Sequence, residues 1–278
     1  EDLTSINLDF YPLQDWKNST RNIVASNIRV NTGFNVSLFK GLRYEGRFQY
    51  NRFNSKSETF RDANSYIVRE ERMLTYDTAN KKLRVPSTGG HFTVGNTLAS
   101  DWTLRNQLVY DSSFDNKKHQ VTALMGTELR ESKSTTYTSY LRGYNMQTML
   151  SEQYDIKAIS STISKVPFGS STTIRSSTYG QSETTTKYFS LYANAAYTYD
   201  NKYTVNASLR MDQSNLFGSN PANQYKPIWS VGGAWQIAKE EFMSNCDFFN
   251  QLTLRASFGY AGNSPDPGTG GTYDILKA

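Results

Sequence analysis

A single cysteine, Cys246, stands among the 278 residues, so no internal disulfide framework holds this chain together. It reads as a small packing residue in a connection between strands. Histidine is nearly as scarce. His91 and His119 leave little for a metal or nucleophilic centre, and the strand layout below puts them near opposite ends of one long strand. Long apolar runs are missing too: hydrophobic residues make up 37% and mean hydropathy is −0.62, which excludes a transmembrane helix. The net charge of +5 comes without any basic run, because Lys and Arg are dispersed, so a nucleic-acid partner is not expected. Asp62, Glu70, Glu71 and Asp77 fall in a long connection without the spacing of a paired-carboxylate site, and a solvated loop is expected there. Asn18-Ser-Thr, Asn35-Val-Ser and Asn206-Ala-Ser match the glycosylation tripeptide but read as ordinary strand and loop residues. No catalytic constellation and no cofactor site emerge, so an enzyme is not expected. No signal peptide precedes Glu1, and the chain stops just after the turn-rich stretch Ser264 to Thr272, which reads as a segment of something longer.

What the chain has in quantity is alternation. From Phe92 to Phe114 even positions carry Phe92, Val94, Leu98, Trp102, Leu104, Leu108, Tyr110 and Phe114, while odd positions are mostly polar or small. Period two places the two sets on opposite faces of a strand. Strands in soluble domains run about 5–6 residues. A strand this long, greasy on one face, suits one that crosses a bilayer and continues into water. A long sandwich strand interrupted by a bulge would give the same pattern over this stretch alone.

The pattern returns seven more times, at Ile28–Leu38, Arg43–Asn51, Gln120–Leu129, Phe189–Tyr199, Tyr203–Asp212, Trp229–Ile237 and Leu252–Tyr260. The connections sort by length. Phe39 to Gly41, Asp115 to Lys118, Asp200 to Lys202 and the moderate Ala238 to Gln251 alternate with the longer Asn54 to His91, Ser132 to Lys187 and Ser214 to Pro227. Every second connection of an up-and-down meander leaves the same end of the sheet. Short turns at one end and long loops at the other describe an outer-membrane barrel, and a sandwich has no reason to sort its loops this way. Tyr197, Tyr199, Tyr203 and Trp235 gather near the short turns, as an interfacial girdle requires. The expected fold is therefore all-β: an antiparallel, up-and-down transmembrane β-barrel segment of about eight strands, with long extracellular loops and short periplasmic turns. Arg43, Arg47, Arg210 and Arg255 should face the lumen, and Phe34, Phe48, Leu108, Leu191 and Leu209 the lipid.

Three ordered motifs carry a family resemblance. Tyr197-Thr-Tyr-Asp-Asn-Lys-Tyr203, followed by Ser208-Leu-Arg-Met-Asp-Gln-Ser-Asn-Leu-Phe-Gly218, is similar to the tyrosine-flanked turn and the Arg-x-Asp-Gly-Ser-Ser-x-Phe-Gly run of the SusC/RagA family of TonB-dependent outer-membrane transporters. Gln213 and Asn215 depart from it. Trp235-Gln-Ile-Ala-Lys-Glu-Glu-Phe-Met243 resembles that family's Trp followed by a short helix ending in Glu-Phe-Met. Leu252-Thr-Leu-Arg-Ala-Ser-Phe-Gly-Tyr-Ala-Gly-Asn263 resembles its Leu-Lys-Leu-Arg-x-Ser-Tyr-Gly-x-Thr-Gly-Asn, with Phe258 and Ala261 as departures. The resemblance implies that residues 1–278 are a slice of a barrel of about 22 strands. It implies a plug domain and a TonB-contacting segment elsewhere in the parent, a SusD-like lipoprotein over the extracellular mouth, and import of oligosaccharides or oligopeptides. A surface adhesin or a passive pore would show the same strands, and a plug domain encoded upstream would decide against both.

The loop Ser132 to Lys187 is the expected place for ligand contact. Tyr137, Tyr140, Arg142 and Tyr144 cluster there, and aromatic faces beside a planar cation suit stacking on sugars or gripping peptide carbonyls. The same residues could equally pack the loop onto itself or onto a SusD-like partner.

Overall fold

The computed structural model describes residues 6–163, 166–167, 178–217, 226–244 and 248–262. Eleven strands occur among them: β1 (Ser19–Phe39), β2 (Leu42–Arg61), β3 (Tyr76–Asp77), β4 (Lys82–Leu83), β5 (Gly90–Phe114), β6 (His119–Asn145), β7 (Leu150–Ser151), β8 (Tyr179–Tyr199), β9 (Tyr203–Ser214), β10 (Pro227–Gln236) and β11 (Thr253–Tyr260). Three short helices join them: α1 (Pro12–Asp15), α2 (Tyr66–Thr75) and α3 (Ile156–Ser160). The eight long strands pair in the order β1-β2-β5-β6-β8-β9-β10-β11, with β7 added to β6 and β3-β4 forming a separate hairpin. Each long strand thus lies beside its sequence neighbour, as the alternation predicts, and β1 and β11 end the path.

The expected strand positions are right, and β5, β9, β10 and β11 have the expected bounds to within two residues, whereas β1, β2, β6 and β8 run longer. β6 continues to Asn145, β8 starts at Tyr179, and β2 reaches Arg61. Residues taken as loop extend the strands at their polar ends. Stretches such as Ser132 to Tyr140 are rich in Thr, Ser and Tyr on both faces. Thr and Tyr favour strands, but polar side chains on both faces leave no apolar–polar alternation to betray them.

Two units of dense contact divide the chain: residues 1–27, 53–99 and 134–183 form one, and residues 28–52, 100–133 and 184–278 the other. The first holds most of the buried apolar side chains: Val68, Met73, Tyr76, Val85, Tyr144, Ile159, Ile163 and Val166. Its α2 covers a small core with the apolar residues Val68 and Met73, and Arg72 donates from Nε to the Pro86 carbonyl (3.2 Å) and from Nη2 to that of Gly89 (2.7 Å). Gly89 and Gly143 both have positive φ, and a Cβ on Gly89 would lie 2.4 Å from the Gly143 carbonyl carbon. Only glycine fits there.

The second unit is a single layer. Cross-strand neighbours match like with like: Leu191 faces Met211, Ala193 faces Leu209 and Tyr197 faces Val205 on one side, while Tyr192 faces Arg210 and Asn194 faces Ser208 on the other. On the apolar side Phe34, Phe48, Leu191 and Leu209 are exposed, with Ile28, Val30, Val205, Val231, Leu254 and Phe258. Leu108 lines a shallow apolar trough of about 440 Å³ with Met125 and Leu209. So broad an unpartnered apolar surface belongs against lipid or another macromolecule.

The turns of this unit are tight. Asp200 and Asn201 both take φ near +52°, with Lys202 N–H donating to the Tyr199 carbonyl at 2.9 Å, the two-residue hairpin form that Asx residues tolerate. Beyond β10 the chain makes two 3-10 turns, Ile237–Lys239 and Glu241–Met243, where the motif predicts one short helix. Between them Glu240 accepts from Tyr203 Oη (2.6 Å), Trp235 Nε1 (2.9 Å) and Lys202 Nζ (3.4 Å), which holds its carboxyl below the usual range. His119 stacks on Phe114 at 5.0 Å and bonds through Nδ1 to Tyr197 Oη at 2.6 Å. The aromatic girdle is thus cross-linked to its turns.

An arginine at the midplane of a barrel's lipid face costs about 2–4 kcal/mol. Leu209→Arg should therefore impair folding into lipid vesicles far more than Ser208→Arg on the neighbouring polar position. The fraction of heat-modifiable band on gels reads the difference, and equal loss in both variants would refute the assignment of faces.

Candidate functional site

Tyr137, Tyr140, Arg142 and Tyr144 lie on β6 and not in a loop, which corrects their expected setting. Tyr140, Arg142 and Tyr144 share one phase of that strand, a spacing that itself signals a strand. Arg142 is only 2% exposed. Its guanidinium forks onto Glu71 of α2, with Nη2 to Oε1 at 2.7 Å and Nε to both carboxylate oxygens at 3.0 Å. The Tyr140 ring lies 4.7 Å from the guanidinium carbon and the Tyr154 ring 5.7 Å, so the cation sits between aromatic faces. His91, the second residue of β5, closes the circuit: Nε2 lies 2.7 Å from Glu71 Oε2 and Nδ1 bonds Tyr140 Oη at 2.6 Å. Tyr144 stacks on Phe92 with ring centroids 4.4 Å apart and meets Phe60 edge-on at 6.3 Å. Tyr137, on the other phase of β6, is half-buried.

The carboxylates expected to be solvated are not. Burial pushes the Glu71 carboxyl upward, but the hydrogen bonds from His91 and Arg142 outweigh it and hold the group below its ordinary value. Asp77 on β3 is 6% exposed and is held down to about 2 by the Asn80 side chain, Arg84 and the backbone N–H of Asn80. Arg84 extends from Asp77 (3.0 Å) to the Ala158 carbonyl (2.9 Å) and Ser161 Oγ (2.7 Å), so it ties the β3-β4 hairpin to α3. Beside that tie opens a polar cleft of about 640 Å³, lined by Lys82, Arg84, Glu152, Tyr154 and Asp155 among others. Nothing in the spacing of Glu71, His91 and Tyr154 announces that they converge, because α2 and the extended β6 bring them together. Cys246 lies outside the described residues, as does the end of the last family motif at Asn263.

A one-layer antiparallel meander with one apolar exposed face, one polar face, tight turns and a folded long-connection unit is the wall of a transmembrane-type β-barrel. Residues 4–275 match the model of a family described as TonB dependent receptor-like, beta-barrel. The chain belongs to that family. TonB-dependent receptor P39 of Formosa agariphila is 32% identical over 164 residues, which covers 59% of this chain and 14% of that protein. TonB-dependent receptor P26 of the same organism is 28% identical over 182 residues, covering 63% and 16%. The chain thus spans about a seventh of the length of these curated relatives. Among solved structures, the RagAB peptide transporter superposes with a TM-score of 0.64 at 22% identity, covering 87% of this chain and 23% of that one. The RagAB peptide importer in its closed-closed state gives 0.65 at 23%, covering 89% and 24%. These two likenesses concern the fold.

Removing one partner of a buried ion pair costs about 3–5 kcal/mol, because the other charge is left uncompensated. Arg142→Ala should therefore open the α2 connection, residues 62–89, to limited proteolysis at neutral pH while the strands resist. Acid should act in the same direction. The folded Glu71 value is depressed, so its contribution is complete above the ordinary value near 4.5 and is lost as pH falls through the lower folded value. Cleavage in 62–89 should rise over that window in wild type and change little with pH in Glu71→Gln. Cleavage of Arg142→Ala at the wild-type rate would sink this assignment.

Proposed function

We propose that the chain is part of the wall of an outer-membrane, TonB-dependent transporter that imports a bulky nutrient. The observation that carries this reading is the single-layer unit, whose apolar face has no protein layer over it among the described residues, in a chain of TonB-dependent receptor kinship. Residues 1–278 serve as one portion of the barrel domain, with a plug and a TonB-contacting segment supplied by the rest of the parent. The SusC/RagA motifs and the RagAB-like fold support a SusD-like lipoprotein seated over the long-connection end, and a glycan or peptide as cargo. Receptor kinship weighs against an enzyme and against the alternative of an adhesin or uncoupled pore.

Tyr137, Tyr140, Arg142 and Tyr144 are proposed as the ligand-proximal patch, with a division of labour that follows from their surroundings. Tyr140 and Tyr144 carry the ring faces on the Arg142 side of β6, whereas Tyr137 stands on the opposite phase, that of Met125 and Leu129. Arg142, Tyr140 and Tyr144, engaged with Glu71, His91 and Phe92, form a rigid side of the patch.

Sidedness tests the reading. In a Cys246→Ser background of the full-length protein, Gln147→Cys on the β6–β7 turn should react with a membrane-impermeant maleimide on intact cells. Lys40→Cys on the tight β1–β2 turn should not react until the outer membrane is permeabilised. Equal labelling, or the reverse, would overturn the orientation and the import reading with it.

A further inference from the structure

The polar face of the single-layer unit holds more guanidinium than carboxylate to answer it. Arg43 is taken by Glu45 (2.7 Å) and Asp111 (2.5 Å), Arg210 by Asp212 (2.9 Å) and Arg105 by Glu128. The side chains of Arg29, Arg47 and Arg130 make no hydrogen bond or ion pair among the described residues. With Arg105 they line one polar cleft of about 760 Å³, whose acidic residues are Asp101 and Glu128. Four cations therefore face two carboxylates.

Register makes this imbalance sharper. Gln107 Nε2 donates to Glu45 at 2.8 Å and Asn51 Nδ2 to Asp101 at 3.4 Å, so the antiparallel pairing of β2 with β5 sets Arg47 directly across from Arg105. Like charges directly opposite destabilise a sheet. Glu45 is near enough to feel Arg47, but its oxygens are already engaged by Arg43 and Gln107. The floor beneath is also shaped for Arg47. A Cβ on Gly33 would stand 3.0 Å from Arg47 Cδ and 2.9 Å from the Gly46 carbonyl oxygen, so the bare glycine lets the arginine stem lie across β1. Arginine forks grip carboxylates in pairs of parallel hydrogen bonds, and several on one wall favour an oligomeric anion over a neutral one.

We propose that Arg47 and Arg130, with Arg29 at the margin and the Glu128-bound Arg105 between them adding positive field, form a binding subsite for carboxylate groups carried by the imported solute. The proposal rests on the transport reading only in taking this polar face as the wall of an aqueous lumen. The test is calorimetric titration of the purified full-length protein in detergent with tetragalacturonate and tetraglutamate, against the neutral maltotetraose and tetraglutamine. The sugar and peptide arms distinguish which backbone carries the carboxylates. At least one charged probe should bind at least tenfold more tightly than its neutral counterpart, and more weakly as salt rises. Arg47→Gln and Arg130→Gln should each weaken it at least fivefold, Arg47→Lys should restore only part, and Gly33→Ala should weaken it with every charge retained. Arg210→Gln, outside the cleft, should leave it unchanged. Equal affinity for charged and neutral probes, no binding of either, or indifference to the arginine substitutions would overturn the subsite. Loss of thermal stability in Arg47→Gln or Arg130→Gln without probe binding would also overturn it, since the arginines would then pair with carboxylates elsewhere in the protein. Heat-modifiable migration of every variant shows that the barrel stands, so a failed titration strikes the subsite alone.

Discussion

Backbone hydrogen bonding is the constraint on which the rest of this structure depends. A strand that crosses lipid has no water to satisfy its N–H and C=O groups, so its neighbours must do so along its whole crossing length. That requirement gives strands of 20 to 27 residues in β1, β2, β5, β6 and β8, each beside its sequence neighbour. It also dictates the turns. A meander held in register needs tight reversals, and Asp200 and Asn201, or Asp115 and Asn116, accept the positive φ that such reversals demand. With the backbone fixed, side chains have two destinations, and the single-layer unit divides them cleanly. Its stability then comes from a solvent of lipid on one face in place of a buried core.

Where the lipid ends, the chain returns to ordinary globular physics. The unit built from residues 1–27, 53–99 and 134–183 assembles a core of Val68, Met73, Ile159 and Ile163 and a buried ionic circuit around Glu71. Burying Arg142, Glu71 and His91 together is tolerable only because each polar atom finds a partner and two rings flank the cation. The circuit connects β5, β6 and α2, three elements far apart in sequence. A rigid connection of this kind presents a fixed surface, which a loose loop of the same length could not do without an entropic cost.

This division explains what the sequence made legible. Ile28 to Leu38 and Phe92 to Phe114 stood out because lipid on one face and water on the other imprint period two. The strand extensions at Ser132 to Asn145 and Tyr179 to Lys187 are hidden because they carry polar side chains on both faces. Tyr140, Arg142 and Tyr144 are legible as chemically rich residues, while their place on a strand is masked for the same reason. Glu71 and Asp77 looked solvated because the charges that pair with them lie 71 and 7 residues away, on Arg142 and Arg84. The α2 helix spans only Tyr66–Thr75, too few residues for its period to stand out within a long connection.

The family motifs belong to the structural part of this scheme. Trp235 and Tyr203 converge on Glu240 together with Lys202, so the Trp-to-Met243 motif and the tyrosine-flanked turn form one clamp beside the girdle. Such a clamp belongs to the wall itself, which is why it identifies kinship and not substrate. The polar face is under a different constraint. A charge placed on the lipid side is costly at every depth near the midplane, whereas a charge on the lumen side is hydrated and cheap. The wall can therefore carry an excess of guanidinium at Arg29, Arg47 and Arg130 without losing its fold. Selectivity is free to reside on the one face that the membrane does not police, and that is the face on which the proposed carboxylate subsite lies.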